Sequence, residues 1–299
     1  MRMGWTAWLL AAGLAWAEAA PPRALVLQSD FGTADGAVAA MKGVAFSVDP
    51  ALPVFDLTHE IPPYRIWDAS FRLAQAAPFW PEGTVFTSIV DPGVGTDRAS
   101  VVARTRDGKF IVGPDNGQLT HLHDRVGITA LRRIDESRHR RPGSEVSHTF
   151  HGRDVYVLTA ARLASGRLKF EDVGPELPLP PVRMDYQAAT EVDGVLRGNV
   201  PVLDLRYGNV WTNVGADLFR KLGAKEGDRF RVVVRQGKRA VYEGVMPFVP
   251  TFGAVPRGQP LLYLNSLLEL SLALNQESFA SRHRIEAGPE WSVEIRKAE

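Results

Sequence analysis

Apolar residues recur along this chain in two rhythms, and the change of rhythm divides it. Up to about residue 175, short apolar runs alternate with stretches of helical period. Residues 24–29 read as a strand ending in Asp30-Phe31-Gly32-Thr33. Residues 35–48 follow with Val38, Met41, Val44 and Ala45 on one helical face. Residues 54–57 read as a second strand, and 66–77 as a helix stopped by Pro78 and Pro81. The run 84–90 reads as a buried strand that breaks on Pro92, Gly93 and Gly95. Residues 100–104 and 109–112 form a hairpin across Arg106-Asp107-Gly108, and 155–164 a further helix. This alternation predicts a Rossmann-like α/β domain over residues 21–175. A Pro-rich linker is expected at 176–190. Strands are then expected at 195–205, 230–235, 240–246, 260–264 and 291–295, with one helix at 267–274. That pattern predicts a small all-β, barrel-like domain over residues 191–299.

A length of 299 residues fits two domains. The 45% hydrophobic and 23% charged shares are ordinary for a soluble globular chain. With a net charge of +1 and only short basic runs (Arg132-Arg133, and Arg138 to Arg141), a nucleic-acid footprint is not indicated. Residues 1–19 have a different character. Arg2 precedes an apolar run from Trp5 to Trp16, and Ala15-Trp16-Ala17 and Ala17-Glu18-Ala19 are small-x-small cleavage candidates. The expectation is a signal peptide and an exported protein, periplasmic or secreted, with no stable membrane insertion after cleavage. An uncleaved anchor is the alternative. The chain has no cysteine, which rules out disulfides, thiolate chemistry and a lipid-bearing Cys.

The candidate chemistry gathers at strand ends. Asp91 lies at the carboxyl end of the run 84–90, and Arg98 follows on the same Gly-rich turn, as a fixed charge pair would require. In open α/β sheets, ligands bind at that edge. Asp30, Asp35 and Asp115 occupy similar corners, and His151 stands at the entrance to a helix. A dinucleotide fingerprint is absent, as are paired metal-ligand spacings and a Gly-x-Ser-x-Gly elbow. No metal and no cofactor are expected. These residues alone define a two-domain α/β protein with a polar cleft, and leave its chemistry open.

Longer motifs narrow it. Ser29-Asp30-Phe31-Gly32, Met41-Lys42-Gly43-Val44, Asp56-Leu57-Thr58-His59, Val90 to Thr96, Pro114-Asp115-Asn116-Gly117 and Phe150 to Asp154 occur in order. They are followed by Asp204 to Asn213, Pro250-Thr251-Phe252, Asn265-Ser266 and Asn275. Together they resemble the S-adenosyl-L-methionine (SAM) hydroxide adenosyltransferases, or SAM hydrolases, relatives of the fluorinase and chlorinase enzymes. The resemblance implies attack of water or hydroxide on C5′ of SAM, giving adenosine and L-methionine. It places Asp91, Arg98 and His151 in the catalytic set, with Asp91 and His151 orienting the water. By the same resemblance Asp30 grips the ribose hydroxyls under Tyr64, and Asn209 and Phe252 contact adenine. Asp35, Asp204, Trp211 and Ser266 hold the methionine end. A homotrimer with sites between subunits is also implied.

Two features separate this chain from the halogenases. These carry a Ser at the position of Gly152 and an aromatic residue or Gly where Asp91 stands, and a buried carboxylate repels halide. The hairpin at 100–112 is also too short for the fluorinase insertion. Two departures from the family pattern stand at Leu267, where halogenases have an Arg, and at Leu268, where Gly is usual. Export of a protein acting on SAM raises a different reading, an adenosyl-ligand binding protein with little turnover.

Overall fold

The structure is a computed structural model and describes residues 24–298. The expected export signal at 1–19 lies outside the described residues. No helix among the described residues is long and apolar enough to cross a membrane.

The chain opens with β1 (Leu25–Ser29), α1 (Ala37–Val48), β2 (Val54–Thr58), α2 (Ile66–Ala76) and β3 (Val85–Ile89). β4 (Ser100–Thr105), β5 (Phe110–Pro114), α3 (Thr120–Arg125), β6 (Ile128–Arg133), α4 (Glu136–His139), α5 (Val157–Ala164) and β7 (Glu176–Leu177) complete the first region. These strands form one mixed sheet in the order β2-β1-β3-β5-β4-β6-β7. β2, β1, β3 and β5 run parallel, while β4, β6 and β7 join antiparallel.

β1 is buried throughout because helices cover both sheet faces. Its alternation assigns the sides: Leu25 and Leu27 join α1 and α5 in one core, and Val26 joins α2 and α3 in the other. Met41 anchors the first of these cores at 0% exposure, so Met41→Ala should cost about 2–5 kcal/mol. Helix α1 starts two residues later than the periodicity predicts, because Asp35 Oδ1 accepts the backbone N–H of Ala37 instead of joining the helix.

The segment expected as a linker is strapped to this region. Glu176–Leu177 pairs with β6, the Val182 N–H donates to Asp115 Oδ1, and Arg183 pairs with Asp124.

The second region comprises β8 (Thr190–Val192), β9 (Val195–Val200), β10 (Val202–Leu203), β11 (Val210–Gly215), α6 (Ala216–Arg220), β12 (Arg229–Gln236) and β13 (Arg239–Pro247). β14 (Pro260–Leu264), β15 (Glu269–Leu274), α7 (Phe279–His283) and β16 (Gly288–Lys297) follow. It is β-rich, with a four-stranded sheet β10-β11-β15-β14 and a five-stranded sheet β13-β12-β16-β9-β8. Phe230, Leu272 and Trp291, drawn from both sheets, share one core.

Two expectations fail here. The stretch 195–205 is not one strand: Pro201, which lacks an N–H for the ladder, is where the chain leaves the five-stranded sheet for the four-stranded one. The stretch 267–274 is not a helix. Leu267 and Leu268 form a turn, with Leu268 at φ 58°, and the rest is β15, buried on both faces. A short apolar run buried all round carries no period that tells strand from helix.

The two regions touch through specific polar contacts. Trp67 Nε1–H donates to the Pro201 carbonyl (2.8 Å), Arg72 donates to the Leu203 carbonyl (3.1 Å), and Arg125 meets Glu269 at 2.5 Å.

Candidate active site

The parallel strands β1, β2 and β3 end side by side, and the polar corners of the first region follow from that. Ser29 pairs in register with Ile89, so Asp30 and Asp91 leave the sheet at the same edge. The Asp30 carboxylate accepts the backbone N–H of Tyr64 (2.9 Å). Tyr64 itself holds φ at 68°, a left-handed conformation unusual for an aromatic residue and one that concentrates at functional positions. Beneath Asp30, Ser29 Oγ lies 2.6 Å from His59 Nδ1, and His59 Nε2 lies 3.1 Å from Asp56 Oδ1.

Asp91 is the best-held carboxylate of this edge, its side chain 5% exposed. Arg98 Nε donates to Oδ1 at 2.9 Å and Nη2 to Oδ2 at 2.5 Å, and the Tyr156 hydroxyl donates to Oδ2 at 3.2 Å. A carboxylate has about four lone-pair sites, and these bonds use three of them. The free site is on Oδ1. Burial alone lowers the Arg98 guanidinium pKa, but the bond to Asp91 reverses this and leaves it above its usual value. Burial and the Asp91 charge push the Tyr156 phenol well up, so it stays a donor.

His151 is brought to the same cluster by a π-helical turn, Gly152–Tyr156, that precedes α5. Such turns mark functional sites often enough to note. The helix predicted from residue 155 thus begins with a widened turn, which carries Tyr156 toward Asp91. Gly152 sits where a Cβ would lie 3.2 Å from Phe31 and 3.3 Å from Phe150, so a side chain there would require those rings to shift by a few tenths of an ångström. Arg98 Nη2 is 3.1 Å from His151 Nδ1, and Arg140 Nη2 is 3.0 Å from His151 Nε2. Burial is the largest influence on His151 and lowers its pKa; Glu136 and Asp91 pull it up, Arg98 and Arg140 pull it down, and the net lowering favours the neutral ring. With both nitrogens facing guanidinium groups, the oxygen left for a water is Asp91 Oδ1.

Apart from Asp35, the remaining predicted residues lie in the second region. Asp204, Asn209, Trp211, Phe252 and Ser266 line one cavity of about 840 Å³, shared with Tyr207, Tyr263 and Asn275. Asp204 closes a turn by accepting the N–H groups of Arg206 (3.2 Å) and Tyr207 (3.4 Å) and the side chain of Asn209 (3.2 Å). Asn265 Oδ1 accepts from the N–H groups of Leu267 and Glu269, which holds the Leu267-Leu268 turn at the cavity's edge. The structure therefore makes two groups: Asp30, Tyr64, Asp91, Arg98 and His151 at the edge of the first sheet, and five residues around the second-region cavity. Asp35 joins neither group by a contact; it is exposed and caps the approach to α1. No residue of the first group lines the cavity. No cluster of three or more His, Cys, Asp or Glu side chains suited to a metal occurs among the described residues.

Sequence reasoning missed Tyr156, Ser100, Glu136 and Arg140. Ser100 Oγ accepts from Arg98 Nη1 (2.9 Å) and donates to Glu136 Oε1 (2.8 Å), and Arg140 donates to Glu136 Oε2 (2.8 Å). The one available signal was the spacing of Glu136 and Arg140, four apart with the acid first, which puts them on one helical face.

Residues 25–174 match the model of the SAM hydroxide adenosyltransferase N-terminal domain, and residues 198–292 that of the C-terminal domain. An (R)-S-adenosyl-L-methionine hydrolase from Thermus thermophilus is 38% identical over 261 residues, 86% of this chain and 93% of that protein. The enzyme of the same name from Salinispora tropica is 36% identical over 265 residues, 86% of this chain and 92% of its own. A fluorinase from Actinopolyspora mzabensis is 29% identical over 296 residues, 88% and 94% of the two chains. Among solved structures, an uncharacterized conserved protein from Thermotoga maritima superposes with a TM-score of 0.82 at 32% identity. That match covers 91% of this chain and 99% of the other.

Proposed function

Because the chain belongs to the SAM hydroxide adenosyltransferase family, whose two domains it carries, we propose a reaction path built on its own residues. The protein is a SAM hydrolase: it converts SAM and water to adenosine and L-methionine. The observation that carries the path is Asp91, gripped by Arg98 and Tyr156 with one lone-pair site left on Oδ1.

A sulfonium leaves as a neutral thioether, so the C5′–S bond breaks without a general acid and its electron pair goes to sulfur. What the protein must supply is one water in line with that bond. Asp91 Oδ1 orients this water and accepts its proton as the new C5′–O bond forms. Arg98 holds the Asp91 carboxylate fixed, and His151 braces Arg98 from the other side. Asp30, held by the Tyr64 N–H, suits a cis-diol, and Tyr64 covers the ribose. In the second-region cavity, Asn209 and Phe252 take adenine, while Asp204, Trp211 and Ser266 take the methionine end, with Asp204 facing the ammonium. Asp35 belongs to the methionine end by family resemblance.

We place the complete site between the first region of one subunit and the second region of its neighbour, in a homotrimer. Tyr64, Tyr207, Phe252 and Leu268 are all exposed in the single chain, at 72%, 72%, 41% and 65%. An interface that joins the two groups would cover them. We read the two sheets of the second region, which share one core, as the halves of a barrel-like unit. We take residues 1–19 as an export signal, the linker as 176–190, and the mature enzyme as acting outside the cytoplasm.

Incubating purified residues 20–299 with SAM and following products by chromatography tests the reaction. Equimolar adenosine and methionine are expected, in chloride or fluoride as well as without them. A 5′-halogenated nucleoside would reassign the protein to the halogenases, and unchanged SAM held tightly would make it a binding protein.

A further inference from the structure

Around His151 the hydrogen-bond inventory does not close in the usual way. Both ring nitrogens lie within hydrogen-bond distance of an arginine, Nδ1 of Arg98 at 3.1 Å and Nε2 of Arg140 at 3.0 Å. A guanidinium only donates, and a neutral imidazole has a single acceptor nitrogen. An imidazolium has none, and here it would be a third cation between two others. The surroundings thus select the neutral ring by geometry as well as by charge.

The second arginine is itself held in place. Glu136 opens α4 behind the Asp135 cap, whose side chain accepts the Ser137 N–H. Glu136 Oε2 accepts from Arg140 at 2.8 Å, and Oε1 accepts from Ser100 Oγ at 2.8 Å. Ser100 in turn accepts from Arg98, so a ring of contacts runs Arg98, Ser100, Glu136, Arg140, His151 and back to Arg98. The Arg140 side chain is 8% exposed, which removes it from the class of solvated loop arginines. Asp91–Arg98 and Glu136–Arg140 are two carboxylate–guanidinium pairs facing each other across one imidazole.

We infer that Glu136 and Arg140 are positioning residues of the active site: Glu136 holds Arg140, and Arg140 fixes the His151 ring against Arg98 from its far side. The inference rests on the hydrolase reading above and deepens it. Protonation of His151 would remove the ring's one acceptor, whichever arginine it serves, and draw Asp91 toward a new cation, loosening the carboxylate that holds the water. The charged and titratable groups facing the ring are Arg98 and Asp91 from the turn after β3, Glu136 and Arg140 from α4 and its exit, and Tyr156 and His148 at ring distances of 6.2 Å.

The two members of the pair act on the imidazole with opposite sign, and this separates the proposal from a merely structural brace. Activity requires neutral His151, so it falls as the pH drops through the histidine pKa. Arg140→Gln removes a cation, so the acid limb of kcat/KM should move up by roughly one pH unit. Glu136→Gln removes an anion and should move the limb down. Arg140→Lys keeps the charge without the fork, so the limb should stay in place while kcat falls. The same midpoints read from the His151 ring resonances, assigned with His151→Gln, need no substrate. Opposite shifts in the two charge-removing variants support the inference. Unshifted midpoints, or shifts of the same sign, overturn it even if the variants lose rate or stability. Absence of adenosine from the wild-type protein would instead sink the reading of the reaction, and the ring titration would still decide the role of the pair.

Discussion

Asp91 and Arg98 meet as a fork, Nε to Oδ1 at 2.9 Å and Nη2 to Oδ2 at 2.5 Å, across the turn that ends β3. Both side chains are nearly buried, at 5% and 11% exposure, so little solvent screens the pair. Two-point contact fixes the plane of the carboxylate as well as its position, which a single bond could not do. The free Oδ1 site therefore points in one direction, and a water bound there has one approach to a substrate.

Asp91→Asn keeps the shape and removes the charge. Turnover of SAM is expected to fall by about 10²–10⁴-fold, because the amide cannot take the proton of the attacking water. SAM affinity measured by calorimetry should change little. Retention of wild-type kcat would remove Asp91 from the reaction.

His59 holds the turn that carries Asp30 in two ways. Its ring contacts Ser29 Oγ, and its carbonyl accepts the Gly32 N–H at 2.7 Å. His59→Asn should loosen that turn by about 1 kcal/mol, raising KM for SAM roughly fivefold with a smaller effect on kcat. A loss confined to kcat would mean that Asp30 does not position the ribose.

Glu269 gives a pH prediction for stability. Burial lifts its pKa to about 7 against the opposing charge of Arg125. A carboxyl group with a raised folded-state pKa contributes fully below its unfolded value, near 4.5, and loses that contribution as pH rises through about 7. Unfolding stability should therefore decline between those values, by at most about 3 kcal/mol. Glu269→Gln should flatten the decline when denaturant midpoints are compared at pH 5 and pH 8. An unchanged slope would show that Arg125 holds Glu269 ionised throughout.

The sequence made the first of these relationships legible and hid others for physical reasons. Asp91 and Arg98 share one Gly-rich turn, so local spacing was enough to pair them. The strand ends bearing Asp30 and Asp91 followed from short apolar runs broken by Gly and Pro. Glu136 and Arg140 reach His151 only through the fold, and Arg140 sits within the basic run from Arg138 to Arg141 that reads as a solvated loop. Tyr156 looked like one more apolar position of a helix, because a π-helical turn leaves no trace in periodicity. Strand β15, with all six residues buried, offered no alternation to distinguish it from a helix. Asp204, Asn209, Trp211, Phe252 and Ser266, which line the second-region cavity, were picked out by the family motifs and not by any pattern of their own, and Asp35, assigned with them, lies elsewhere.

The most direct test of the central claim is turnover in H₂¹⁸O, with mass spectrometry of the adenosine formed by residues 20–299. Attack of a water held by Asp91 predicts one ¹⁸O at the 5′ oxygen of adenosine and none in methionine. Adenosine with unlabelled 5′ oxygen, or a product in which another group occupies C5′, would contradict it.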